Sequence, residues 1–193
     1  NAAADGVRAA MPDAMVVVKP LADGGEGTTD ALIEGMGGEK VVLQVTGPVG
    51  EPVEAYYGWI AGQQMAVMEM AAAAGITLLP DGRGDPMRAS TRGVGEMIRD
   101  ALDRGCRNFL IGIGGSATND GGIGMLQALG FRFLDAYGKQ VGEGAQALGN
   151  VAQVDCVGAD PRLGACQFRI ACDVTNPLCG KNGATYVFGP QKG

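Results

Sequence analysis

The stretch Asn108-Phe-Leu-Ile-Gly-Ile-Gly-Gly-Ser-Ala-Thr-Asn-Asp-Gly-Gly122 decides how the chain reads, because an apolar run breaks there into a loop of glycines, hydroxyls, an amide and a carboxylate. Phe109, Leu110, Ile111 and Ile113 have the length of a buried strand, and a helical pattern of Met125, Leu126, Ala128 and Leu129 resumes after Gly122. Glycines at 112, 114, 115, 121 and 122 let the backbone take positive φ and come close to a ligand. Exposed N–H groups ahead of a helix attract phosphate or carboxylate. Strand, anion-cradling loop and helix is therefore the expectation for this stretch.

Upstream of it, the clearest helix of the chain carries Val94, Met97, Ile98 and Ala101 on one face, with Ser90 or Thr91 as its cap and Gly105 as its stop. Before that helix, Asp81–Arg88, with its Gly, Asp and Pro, reads as a lobe boundary or a mobile loop, the boundary being expected near 75–92. Residues 40–69 alternate as an antiparallel meander: Val41–Val45, a turn at Gly47-Pro48 and Gly50, Val53–Ile60 and Met65–Met68. Met70–Leu79 starts as a short alanine-rich helix. Residues 1–10 suit a helix, and Met15–Val18 a short strand leading to Ala22-Asp-Gly-Gly-Glu-Gly-Thr28, a second strand-loop-helix unit with Asp23 and Glu26 near a helix start.

Downstream, Asp135-Ala-Tyr-Gly138 has the residues of a type I turn and predicts a hairpin between Phe131–Leu134 and Gln140–Val141. Residues 142–165 show no pattern. Phe168–Cys172 is another short apolar run, followed at once by Asp173-Val-Thr-Asn-Pro-Leu-Cys-Gly180, and the chain closes in a loop at Phe188–Gly193. The fold class expected is α/β, with mixed parallel and antiparallel sheets, flanking helices and Rossmann- or flavodoxin-like elements. Both ends read as cut rather than finished.

Composition narrows the chemistry. The 193 residues contain no histidine, which removes His general bases, Ser-His-Asp triads and His-ligated zinc in one step. Acid–base work then falls to Asp, Glu, Lys, Tyr or Cys. A net charge of −6 without basic clusters argues against a nucleic-acid partner. No apolar run reaches the roughly 20 residues of a membrane span, and no leader-like opening is seen. The five cysteines form no Cys-x-x-Cys pair and read as reduced thiols of a cytosolic protein.

Carboxylates where strands end are where open α/β folds bind ligands. Asp23 and Glu26, Asn119 and Asp120, and Asp173 and Asn176 could converge on one cleft. No Walker lysine follows the glycines, yet phosphoryl transfer needs only a metal, donors on the phosphates and a base, for which an Asp is the natural choice here. For each motif the plain alternative is an Asx turn or helix cap. Arg92 is placed to clamp a phosphate or carboxylate, with a solvent-facing arginine as the alternative, and Lys192 stands as a lone loop cation. Glu69 reads equally as a ligand or a cap. A dinucleotide fold is the rival: Gly112-Ile-Gly114-Gly-Ser-Ala117 fits Gly-x-Gly-x-x-Ala, with Asp135 near the ribose-binding distance. Glycine and asparagine positions at 119–122 and the turn at Asp135 speak against it.

Four motifs together, Ala22–Thr28, Gly112–Gly122, Ala171-Cys-Asp-Val-Thr-Asn-Pro-Leu178 and Phe188-Gly-Pro-Gln-Lys-Gly193, resemble the bacterial glycerate kinases in the same order from end to end. The resemblance implies ATP-dependent phosphorylation of D-glycerate with Mg²⁺, giving 2-phosphoglycerate, in the cytoplasm. Members of that family begin earlier and continue past Lys192-Gly193, so the chain is expected to be an internal fragment or a truncated copy of such a kinase. On this reading Asp120 and Asp173 are base and metal ligand in either order. Gly114, Gly115, Ser116 and Thr118 hold phosphate or the glycerate carboxylate, and Asp23, Glu26, Asn119, Asn176, Arg92 and Lys192 complete the lining. A homo-oligomer is compatible with the sequence. The other readings left open are a nicotinamide-dependent oxidoreductase using residues 112–117 and a non-catalytic domain.

Overall fold

The structure is a computed structural model that describes residues 2–17, 27–80 and 84–193. Its strands are β1 (Glu39–Thr46), β2 (Pro52–Ile60), β3 (Met65–Glu69), β4 (Asn108–Gly112), β5 (Arg132–Leu134), β6 (Gln153–Asp155) and β7 (Gln167–Ala171). Its α-helices are α1 (Ala2–Ala10), α2 (Thr28–Met36), α3 (Ala71–Ala74), α4 (Arg92–Asp103), α5 (Ile123–Ala128), α6 (Ala145–Leu148) and α7 (Ala184–Phe188). Five strands form one sheet in the order β1-β2-β3-β4-β7, and β5 pairs with β6 apart from it.

The sheet changes character along its width. β1, β2 and β3 are the antiparallel meander that the alternation predicts, its first turn closed by Gly47 N–H to Glu51 O at 2.8 Å and by Gly50 at φ +93°. β3, β4 and β7 run parallel, with Glu69 opposite Gly112 and Gly112 opposite Ala171. Three neighbouring parallel strands thus end at one level, and the loops leaving them rise from the same edge. This is the α/β architecture expected, with parallel strands delivering loops to one end.

Helix α4 covers one face. Val94, Met97, Ile98, Ala101 and Leu102 form a core with Val41, Val45, Ala55, Tyr57, Met68, Phe109 and Ile111. Burying each large side chain of that set contributes roughly 1.5–3 kcal/mol. The helix ends as its sequence announces: Gly105 sits at φ +87° and Cys106 N–H returns to Ala101 O at 2.9 Å. On the opposite face, Gly58 leaves the space that Ile33 of α2 occupies, since a Cβ there would stand 2.6 Å from Ile33 Cγ1. At the β7 edge of the sheet, Phe168 stacks on Phe109 with centroids 4.7 Å apart, yet stays 42% exposed.

Several expectations change in detail. No strand forms over the described part of Met15–Val18, and Val18 itself lies outside the described residues. The turn at Asp135 closes through Gly138 N–H to Asp135 O at 3.0 Å, and a short hairpin follows through Asp135 N–H to Lys139 O and Val141 N–H to Phe133 O, each 2.8 Å, with the Leu134–Gln140 bridge between them. The partner of β5 is β6, from the stretch that showed no pattern. Three residues with one apolar side chain, Gln153-Val-Asp155, carry no period-2 signal to read. Among the described residues no helix is long and apolar enough to cross a membrane.

Candidate active site

The loop at residues 113–122 leaves β4 and is anchored to the segment after β3. Ala117 N–H donates to Ala74 O at 2.8 Å, Ile76 N–H donates to Gly115 O at 2.9 Å, and Gly75 bridges Ser116. Gly115 takes φ +69°, where a side chain would also stand 3.3 Å from the Ala71 Cβ. Gly115 therefore serves the close approach of this loop to the segment after β3.

Asp120 is the pivot of this loop and is 1% exposed. Its Oδ2 accepts from Thr91 N–H at 2.9 Å, Thr91 Oγ1 at 2.8 Å and Gly124 N–H at 3.2 Å, while Oδ1 accepts from Gly122 N–H at 3.0 Å. One carboxylate thus serves the amino ends of both α4 and α5, where N–H groups lack helical partners. Thr91 occupies the cap position of α4 without a side-chain cap bond; its hydroxyl instead accepts from Met125 N–H at 3.0 Å. Ser90 Oγ takes the nearer capping role, accepting from Arg92 N–H at 3.2 Å.

Lys192 lies across the loop. Its Nζ donates to Ser116 Oγ at 2.8 Å and to Thr118 O at 2.6 Å. Burial pushes its pKa down, and the Asp120 charge opposes that shift. Thr185 Oγ1 at the start of α7 donates to Asn119 Oδ1 at 3.2 Å, so the segment from α7 to Gly193 straps the loop from outside. A Cβ on Gly84 would collide with Lys192 O, which packs the 84–88 segment beneath the strap.

The remaining candidates spread outward. Asp173 and Asn176 are exposed on the loop that leaves β7, with Asn176 Nδ2 donating to Asn182 O at 3.1 Å. Arg92 is held by two carboxylates, Glu143 Oε1 at 2.8 Å and Glu96 Oε1 at 3.3 Å, and Ser90 Oγ donates to Glu143 Oε2 at 2.6 Å. Asp23 and Glu26 lie outside the described residues. Among the described residues, no three Cys, Asp or Glu side chains cluster as a metal cage. Sequence reasoning missed Glu143 and Glu96 as partners of Arg92. The i,i+4 spacing of Arg92 and Glu96 was a usable signal, whereas Glu143 stands in the patternless stretch and offered none.

The dinucleotide rival meets two obstacles. Helix α5 begins at Ile123, beyond the whole glycine fingerprint, and Asp135 Oδ1 is committed to its own turn through Tyr137 N–H at 2.8 Å and Lys139 N–H at 2.9 Å.

All of residues 1–193 match the model of the glycerate kinase family. The chain belongs to that family. It is 51% identical over 188 residues to the glycerate 2-kinase of Escherichia coli K12, covering 97% of this chain and 49% of that protein. It is 50% identical over 188 residues to the glycerate kinase of Bacillus subtilis 168, with 97% and 49% covered. The crystal structure of a Salmonella typhimurium LT2 chain, provisionally named glycerate kinase 2, superposes with a TM-score of 0.88 at 52% identity, over 97% of this chain and 50% of that one. The chain spans about half the length of these relatives.

Proposed function

We propose that this chain carries the phosphate-holding wall of an ATP-dependent kinase that phosphorylates D-glycerate to 2-phosphoglycerate. The observation that carries the proposal is Lys192 bridging Ser116 and Thr118 over a glycine loop at the carboxyl ends of β3, β4 and β7. A half-buried ammonium beside hydroxyls on a glycine loop is chemistry for a phosphoryl oxygen or a carboxylate, where low dielectric strengthens each contact.

Each residue then has a task. Gly114, Gly115, Ser116 and Thr118 receive phosphate or the acid's carboxylate, with Lys192 as the cation. Asp120 holds the loop in shape, since its oxygens are taken up by Thr91, Gly122 and Gly124. Asp173 is the open carboxylate and accepts the proton of the attacking glycerate hydroxyl. Asn119 is held through Thr185 as part of the lining, and Arg92 braces the start of α4 through Glu96 and Glu143. Asp23 and Glu26, outside the described residues, stay candidates for the lining on their sequence alone.

Magnesium fits as an ion carried mainly by phosphate oxygens and water, since hard cations of this kind need few protein ligands and no acidic cage is built among the described residues. Asn176, whose Nδ2 is spent on Asn182 O and whose Oδ1 is left as an acceptor, is the oxygen donor on the adjacent loop. Bound there, the ion would neutralise charge on the transferring phosphoryl group.

The test is a coupled ADP-release assay with D-glycerate beside an NADH fluorescence titration. D-glycerate-dependent ADP release, with phosphate appearing on the C2 hydroxyl by ³¹P NMR, supports the proposal. Saturable NADH binding without ATP binding would replace it with the oxidoreductase reading. A folded chain that binds neither nucleotide would favour a non-catalytic domain.

A further inference from the structure

Glu69 is the last residue of β3 and stands in register with Gly112, the residue from which the 113–122 loop departs. Its carboxylate is buried, 5% exposed, and Oε1 accepts the backbone N–H of Thr29 at 2.7 Å from 40 positions along the chain. Thr29 belongs to the first turn of α2, which has Gly27 at its cap position at φ +89° and no side-chain cap of its own. Glu69 therefore supplies the negative charge that the amino end of α2 attracts.

The Thr29 N–H at the amino end of α2 is thereby taken up by the Glu69 carboxylate. Among the described residues, the buried Thr29 hydroxyl finds no hydrogen-bond partner.

We propose that Glu69 is a positioning residue of the phosphoryl-transfer site: it pins the amino end of α2 to the carboxyl end of β3, at the level where the loops of β4 and β7 begin. The proposal rests on the kinase reading given above. Glu69 acts through Thr29 and the α2 backbone and touches no reacting atom. A glutamine at this position keeps the accepting oxygen, and an alanine loses it.

The test compares Glu69→Gln and Glu69→Ala in the 193-residue chain. It uses kcat and KM for ADP release, thermal midpoints, and dissociation constants for ADP and D-glycerate from titration calorimetry. Glu69→Ala is expected to weaken ligand binding and raise KM by about tenfold with a smaller change in kcat, while Glu69→Gln stays within about twofold of the parent. Unchanged KM and binding in Glu69→Ala, once corrected for the folded fraction, would overturn the proposal in favour of a purely structural bond. So would a collapse of kcat in Glu69→Gln as deep as in Glu69→Ala, which would make Glu69 a chemical group. If the parent releases no ADP, the binding constants still decide. A parent that binds neither ligand defeats the kinase reading itself, and a parent and Glu69→Ala that bind equally defeat only the role of Glu69.

Discussion

Thr91 gives Asp120 both its backbone N–H, at 2.9 Å, and its hydroxyl, at 2.8 Å, so the first residue before α4 is bound twice to the loop before α5. The same hydroxyl accepts from Met125 N–H, and the close approach of the two helices is made possible by Gly95 and Gly124. A side chain on Gly95 would collide with Met125 O, and one on Gly124 with Ser90 Oγ. The glycine loop is thereby locked to the helix that covers the sheet.

Asp120→Asn tests that lock. The amide replaces one acceptor with a donor facing N–H and O–H groups that are themselves donors, which strands at least one buried partner. Unfolding free energy from urea titration is expected to fall by about 2–4 kcal/mol. A stability unchanged within error would mean that Asp120 does not organise the loop and would return it to candidacy as a base.

Lys192 should impart a pH dependence to anion binding. Burial lowers its pKa from the ordinary 10.5, so in the window below that value the folded protein binds fewer protons here than the unfolded chain. Its burial penalty is present while the amine is charged, and stability rises as pH climbs through the lowered pKa. Affinity for ADP or inorganic phosphate falls over the same range, because the ammonium is lost. Calorimetric titrations from neutral to alkaline pH should show that loss below the ordinary lysine range, and Lys192→Arg should remove it. An alkaline limb that persists in the arginine variant would assign it to another group.

How much of this was legible beforehand follows from the range of each interaction. The meander, the α4 stripe and the break after Ile113 are written in neighbouring residues, so periodicity finds them. The β5–β6 pair is not, because Gln153-Val-Asp155 gains its strand conformation only from Arg132–Leu134. At the site, the spacing of glycines announced the loop. The union of Asp120 with Thr91, of Lys192 with Ser116 and of Glu69 with Thr29 joins residues 29, 76 and 40 positions apart, and no local pattern records such contacts. Arg92 shows the reverse case: its position at a helix start was plain, but the two carboxylates that engage it were hidden.

At the far end of α4, Arg162 forks onto Asp160, with Nη2 to Oδ2 at 2.6 Å, and reaches Asp103 Oδ1 at 2.7 Å. The Arg162 side chain, with its backbone N–H behind it, lowers the Asp160 pKa from 3.8 to about 2. The stability this carboxylate contributes is complete above the ordinary value and is lost as pH falls toward about 2. Asp160→Asn should flatten the acid limb of the unfolding midpoint between those values. A variant whose acid limb matches the parent would show that solvent screens the pair.

The central claim is that residues 114–118, with Lys192, receive the anionic group of nucleotide or acid. A titration of ADP with Mg²⁺, and separately D-glycerate, into the ¹⁵N-labelled chain reads this directly from the backbone amides. Saturable shifts at Gly114, Gly115 and Ser116 with one of these ligands, weakened at least about tenfold by Lys192→Ala, are the expected result. Amides of this loop that stay unmoved at saturating concentrations of both ligands would contradict the account.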